Sequence, residues 1–180
     1  MTKHLLAGLA ISALISVGPV MASTQTQDMS AVVDISGSLI REGFTCAVNT
    51  SESSISLLEL PETLIKQGDN ATAPILVHIS VVGNDKCAEL IDGGHMAFRF
   101  TGKEDDADHT ALANSLTDET AAKGVAIGIF DADNKPVTVK TGLLPAKTDT
   151  VFGIQMVQLK GQEAVGGNIN AAMTVDIERL

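Results

Sequence analysis

The sequence predicts an all-β fold, a sandwich or barrel, and three observations predict it. Short apolar stretches recur along the chain, some alternating with period two and some nearly continuous. Clusters of Gly, Asn, Asp and Pro separate them, and no stretch carries a strong helical period. No internal repeat or low-complexity linker interrupts the pattern, so the chain reads as one domain behind a leader.

The leader is residues 1–22. A basic start (Lys3, His4) precedes an apolar run from Leu5 to Val17, then Gly18-Pro19 and the small-residue site Val20-Met21-Ala22. This is the pattern of a secretory signal peptide cleaved after Ala22, and the run is shorter than the ~20 residues a bilayer span needs. No membrane span is expected once it is removed. Ser23–Asp28 is polar and has no turn or helix signal. It leads into Met29, Ala31, Val33, Ile35, Gly37 and Leu39, which share one parity, while Asp28, Ser30, Val32, Asp34, Ser36 and Ser38 share the other. That is a strand with one face made for burial. The pattern leaves open whether it is the first strand of its own sandwich or pairs with a neighbour.

Further strands are expected at Leu39–Val48, at Ser54–Leu60 (stopped by Pro61) and at Ala73–Val82, whose near-continuous apolarity suggests cover on both faces. Met96, Phe98 and Phe100 alternate with Ala97 and Arg99 and end at Gly102; Thr110–Leu116 suits a turn or two of helix. Gly124–Asp131 alternates Val125, Ile127 and Ile129, and a turn over 131–136 leads to Val137–Val139. Val151–Leu159 and Ile169–Ile177 close the set.

Composition narrows the function. The chain carries 12 Lys+Arg against 22 Asp+Glu, and loss of Lys3 with the leader moves the balance from −10 to 11 − 22 = −11. Such a surface repels nucleic acid and anionic lipid, so neither is an expected partner. Cys46 and Cys87 are the only cysteines. In an exported chain they read as a disulfide, and without a CxxC spacing they make poor metal ligands.

Catalysis finds little support, and no cofactor or metal site is expected. His78, His95 and His109 lack metal-binding spacing, and His78 lies in an apolar run as a satisfied sandwich residue. Glu104, Asp105, Asp106 and Asp108 read as a solvated acidic loop. Asp131-x-Asp133 opens like an EF-hand loop, but Pro136 and Gly142 occupy the places of its glycine and bidentate Glu. No serine sits in a GxSxG context.

Several blocks together resemble the type 1-like fimbrial pilins of chaperone–usher pili. Val33-x-Ile35-x-Gly37-x-Leu39 precedes a cysteine as the family's donor segment does, and Cys46 and Cys87 have its approximate spacing. Met96-Ala97-Phe98-Arg99-Phe100-Thr101-Gly102 with Leu112, the block Ala122–Asp131, and the closing stretch Gly166–Ile177 match its later strands. The resemblance covers residues 23–180 and is most specific at Ala122–Asp131. The family commonly ends with a penultimate tyrosine; Ile177 aligns there, followed by Glu178-Arg179-Leu180, and the chain has no tyrosine.

The resemblance implies an incomplete immunoglobulin-like sandwich over 41–180, preceded by a donor extension over 23–40. It implies a groove bordered by the last strand (Ile169, Ala171, Met173, Val175 and Ile177) and completed by a strand from a chaperone or neighbour. Met29, Ala31, Val33, Ile35, Gly37 and Leu39 would fill the same groove in the adjacent subunit. A periplasmic pilus chaperone, an outer-membrane usher and other pilin copies in a head-to-tail fibre are then the expected partners. Location would be the fimbrium at the cell surface, supporting adhesion. The alternatives are a free-standing periplasmic ligand-binding sandwich, or a minor adaptor or adhesive pilin that binds a host ligand itself.

Overall fold

A computed structural model describes residues 45–180 as two facing sheets built almost wholly of antiparallel pairs. The strands are β1 (Ala47–Thr50), β2 (Ile65–Lys66), β3 (Ile75–Val82), β4 (Met96–Gly102) and β5 (Leu112–Ala113). They continue as β6 (Val125–Phe130), β7 (Leu143–Pro145), β8 (Thr150–Gln158) and β9 (Met173–Arg179). One sheet runs β1-β3-β8-β6-β5, with β2 lying parallel to the end of β8; the other runs β7-β4-β9. The all-β sandwich expectation holds.

Period-two alternation builds the core. Met96, Phe98 and Phe100 of β4 point between the sheets and meet Val77 and Ile79 of β3 and Phe152 of β8. The rings of Phe100 and Phe152 make the cross-sheet contact, with centroids 4.9 Å apart. All these side chains are almost completely buried. Each contributes on the order of 1.5–3 kcal/mol by leaving water.

Double cover falls on β6 and β8 rather than on β3. Leu76 and Val82 of β3 lie exposed on the outer face, beside His78, whose imidazole pairs with Asp149 at 3.0 Å in the open. His78 is thus satisfied on the outer face rather than within the sandwich. On β6 and β8 the outward Ala126, Phe130 and Val157 form a second apolar cluster with Ala71, Ala111 and Leu159. Polar side chains pin loops over this cluster. The Gln155 side-chain oxygen accepts from the N–H groups of Thr72 and Ala73 at 3.0 and 3.1 Å.

Asp105 does the same for the acidic loop, which is not solvated at its centre: Asp105 is 1% exposed. Its carboxylate accepts from the backbone N–H groups of Ala107, Asp108, Thr110 and Ala111, each at 2.9 Å, and from Gln67 Nε2 at 3.0 Å. Burial alone would raise its pKa; the Asp108 and Ala111 N–H groups, then Gln67 and Ala107, outweigh that and lower it to about 2. A depressed native pKa contributes stability that is fully present above the unfolded value near 4 and lost as pH falls through about 2. Asp105→Asn should therefore lower stability at neutral pH by about 2 kcal/mol and flatten its fall between pH 4 and 2. Denaturant midpoints across that range check it; an unchanged acid profile would assign the dependence to other carboxylates.

Gly124 opens β6 with φ +64, and a Cβ there would run into the Glu163 carbonyl oxygen. Gly124→Ala should cost more than about 2 kcal/mol through left-handed strain and that clash together. A thermal melt measures it, and a near-wild-type midpoint would contradict the tight approach.

Other expectations shift. Helix α1 (Asp85–Asp92) was not foreseen; Asn84 caps it, its side-chain oxygen accepting from the Lys86 N–H, and Gly93-Gly94 follow its end. Thr110–Leu116 forms no helix but contains the short β5. Ser54–Leu60 is extended yet joins no ladder, and Val137–Val139 is likewise outside any strand, although Val137 and Val139 reach the core. The last strand begins at Met173 rather than Ile169 and continues to Arg179. The reason is local: the Asn168 N–H donates to the Thr120 carbonyl, the Asn170 carbonyl accepts from the Ser115 N–H, and Asn114 holds both asparagine backbones. Residues 168–170 are thereby tied to the β5–β6 connection before the chain crosses to the other sheet.

Candidate functional site

β9 is bonded along its whole length to β4, from Met96↔Arg179 to Gly102↔Met173. Among the described residues it has no second strand neighbour, and β1 pairs only with β3. Among the described residues, two sheet edges on the same side of the sandwich are therefore left without a strand partner.

A groove of about 810 Å³ lies between them. One wall is Val48 of β1 with Ile55 and Leu57 of the extended 52–57 segment. The other is Ile169, Ala171, Met173 and Val175. Val77, Phe152 and Ile154 form its floor, so the groove opens directly onto the main core. On the β9 side the half-buried Ile169, Ala171, Met173, Val175 and Ile177 alternate with the exposed Asn170, Ala172, Thr174 and Asp176. Ile177 keeps the inward parity and packs on the core beyond the groove lining. A groove with an apolar floor, a rim that includes Thr50, Ser54, Ser56 and Thr174, and a sheet edge on either side suits an extended segment with alternating apolar side chains, held by main-chain hydrogen bonds and side-chain pockets.

The Cys46–Cys87 disulfide is present, with Cα atoms 5.8 Å apart. It ties the start of β1, and so one groove wall, to α1. Its closed loop spans 41 positions.

The polar candidates take structural places. Asp131 closes a turn, its side chain accepting from the N–H groups of Asp133 and Lys135 at 2.9 and 2.8 Å. Glu104 pairs with Lys140 at 2.7 Å. Among the described residues no group of three His, Cys, Asp or Glu could hold a metal ion, and no helix is long and apolar enough to cross a membrane.

Met29, Ala31, Val33, Ile35, Gly37 and Leu39 lie outside the described residues, as do the expected leader and the whole 23–40 extension. The Ile169–Ile177 series is brought together along one edge. Sequence reasoning did not identify the opposite wall, Ile55 and Leu57, or the floor. The alternation of Ser54–Leu60 was the available signal, and it pointed to a ladder that does not form.

A sequence model described as fimbrial protein matches residues 33–178. The crystal structure of the P pilus rod subunit PapA superposes with a TM-score of 0.52 at 16% identity, over 83% of this chain and 100% of that one. A chain of a chaperone–usher pilus, solved to explain rod uncoiling, gives a TM-score of 0.52 at 17% identity over 85% of this chain and 97% of that one. At these identities the likeness is one of fold. No curated protein sequence matches the chain.

Proposed function

This chain belongs to the fimbrial protein family, and from that premise we propose that it polymerises by strand donation, its residues 29–39 filling the groove of the adjacent copy. It is a structural subunit of a pilus and not an enzyme. The observation that carries the proposal is the apolar-floored groove of about 810 Å³ between two sheet edges, opening onto the core. A monomer leaving it empty would expose apolar surface and strand edges together, an aggregation hazard. The 29–39 parity supplies the complementary face. Met29, Val33, Ile35 and Leu39 would each contribute on the order of 1.5–3 kcal/mol on burial.

Before assembly the groove needs a temporary strand, which assigns a periplasmic chaperone as first partner and an outer-membrane usher as the place of exchange. The contact is head-to-tail and does not close on itself, so it yields a fibre at the cell surface, suited to supporting adhesion.

The test is gel filtration of the chain lacking residues 1–22 and of a form lacking residues 1–35, each with and without a co-expressed pilus chaperone. The longer form should polymerise or aggregate alone. The shorter form should be recovered only as a 1:1 chaperone complex, or refold when given a 29–39 peptide. A stable chaperone-free monomer of the longer form would overturn the proposal and favour a free-standing sandwich.

A further inference from the structure

The two ends of the groove differ. At the end by Ile169, a second cavity of about 210 Å³ continues it, sharing Leu57 and Ile169 as lining. Leu58 and Val165 line this cavity yet stand 97% and 50% exposed, and Leu60, two residues on from Leu58, is 60% exposed. Exposed apolar side chains at the rim of a cavity call for a cover.

The other end is where the described chain begins. Cys46 is bonded to Cys87 of α1, and α1 leads through Gly93-Gly94 to Met96, which pairs with Arg179 at the end of β9. Two exposed apolar side chains mark this end: Val82, paired with Ala47, at 49%, and Leu180, whose N–H donates to the His95 carbonyl, at 61%.

We infer that successive copies in the fibre also touch body to body, the Leu58/Leu60/Val165 rim of one copy seated on the Val82/Leu180 end of the copy that donates its strand. The inference rests on the strand-donation reading. Chain length supports it: Cys46 follows Leu39 by 46 − 39 = 7 residues, which span at most about 25 Å when fully extended. A donor held in the groove to Leu39 therefore keeps its Cys46 end close to the groove's mouth. Tethering that short gives effective concentrations of the order of millimolar, at which a small apolar patch is enough to dock. The mouth in question is the Ile169 end, because at the opposite end the recipient's own chain leaves Cys46 toward its own extension. The contact pairs unlike ends, so it propagates with the fibre and does not close.

Leu58→benzoylphenylalanine, introduced into the full chain and irradiated after assembly, tests this. Cross-links should map to the neighbouring copy around Val82 or Leu180 and be absent when the groove is filled by a free 29–39 peptide. In parallel, Leu58→Ser with Val165→Ser should speed dissociation of a strand-exchanged dimer about tenfold or more, with peptide affinity unchanged within about twofold. If the peptide still binds but no inter-copy cross-link forms and dissociation is unchanged, the body contact is wrong while strand donation stands. If the peptide does not bind the groove at all, both fall.

Discussion

Val175→Asp is expected to abolish capture of the 29–39 segment. Val175 stands half-buried in the groove wall, opposite Phe100 in the β4–β9 register, and a docked strand would seal it from water. A carboxylate there would be buried without a partner, at a cost of several kcal/mol. The binding constant for a 29–39 peptide should fall by about a thousandfold or more, roughly 4 kcal/mol. Asp176→Asn, one residue away on the exposed parity, should change it only a few-fold. Fluorescence anisotropy of a labelled peptide separates the two, and equal losses would mean that the strand does not lie on the β9 face.

The second large effect is on folding. Cys46→Ser with Cys87→Ser removes the cross-link that closes a loop of 41 positions. The chain-entropy estimate gives about 4 kcal/mol for a loop of that length, a large part of a small domain's stability. The loss should concentrate where the bridge acts. β1 is four residues long and, among the described residues, pairs only with β3, so without the tie to α1 it should fray first. Urea midpoints of the peptide-completed protein, with hydrogen exchange at Val48–Thr50, report both quantities. Full protection of those amides in the double variant would show that β3 holds the wall unaided.

Three strands were legible in the sequence, although β6 and β8 are buried on both faces rather than alternating between core and solvent. Met96–Gly102, Gly124–Asp131 and Val151–Leu159 agree with the structure to within about two residues at each end, because their pattern and their burial have the same cause. What failed was whatever depends on distant partners. Ala73–Val82 looked doubly covered, but composition cannot say which strands the loops will cross; Gln155 and Asp105 fix those loops over β6 and β8 instead. Ser54–Leu60 has the alternation of a strand, with Ile55 and Leu57 half-buried between exposed neighbours, yet its neighbour is the groove. α1 is framed by Asn84 and Gly93-Gly94, but its eight residues are too few for an apolar period to stand out in the sequence. The expectation for the β9 edge came from the family resemblance, and the single parity of Ile169, Ala171, Met173, Val175 and Ile177 agrees with their half-buried side. The floor, drawn from β3 and β8, exists only once the sandwich is folded.

The measurement that tests the central claim most directly is cross-linking in fibres assembled from equal amounts of ¹⁴N- and ¹⁵N-labelled chain, with a photoreactive residue at Val33. Strand donation predicts that cross-links reach the groove wall around Met173–Val175 and that about half of them join chains of different isotope. Cross-links that join only chains of one isotope would place the segment in its own subunit's groove, and the chain would then complete its sandwich without a neighbour.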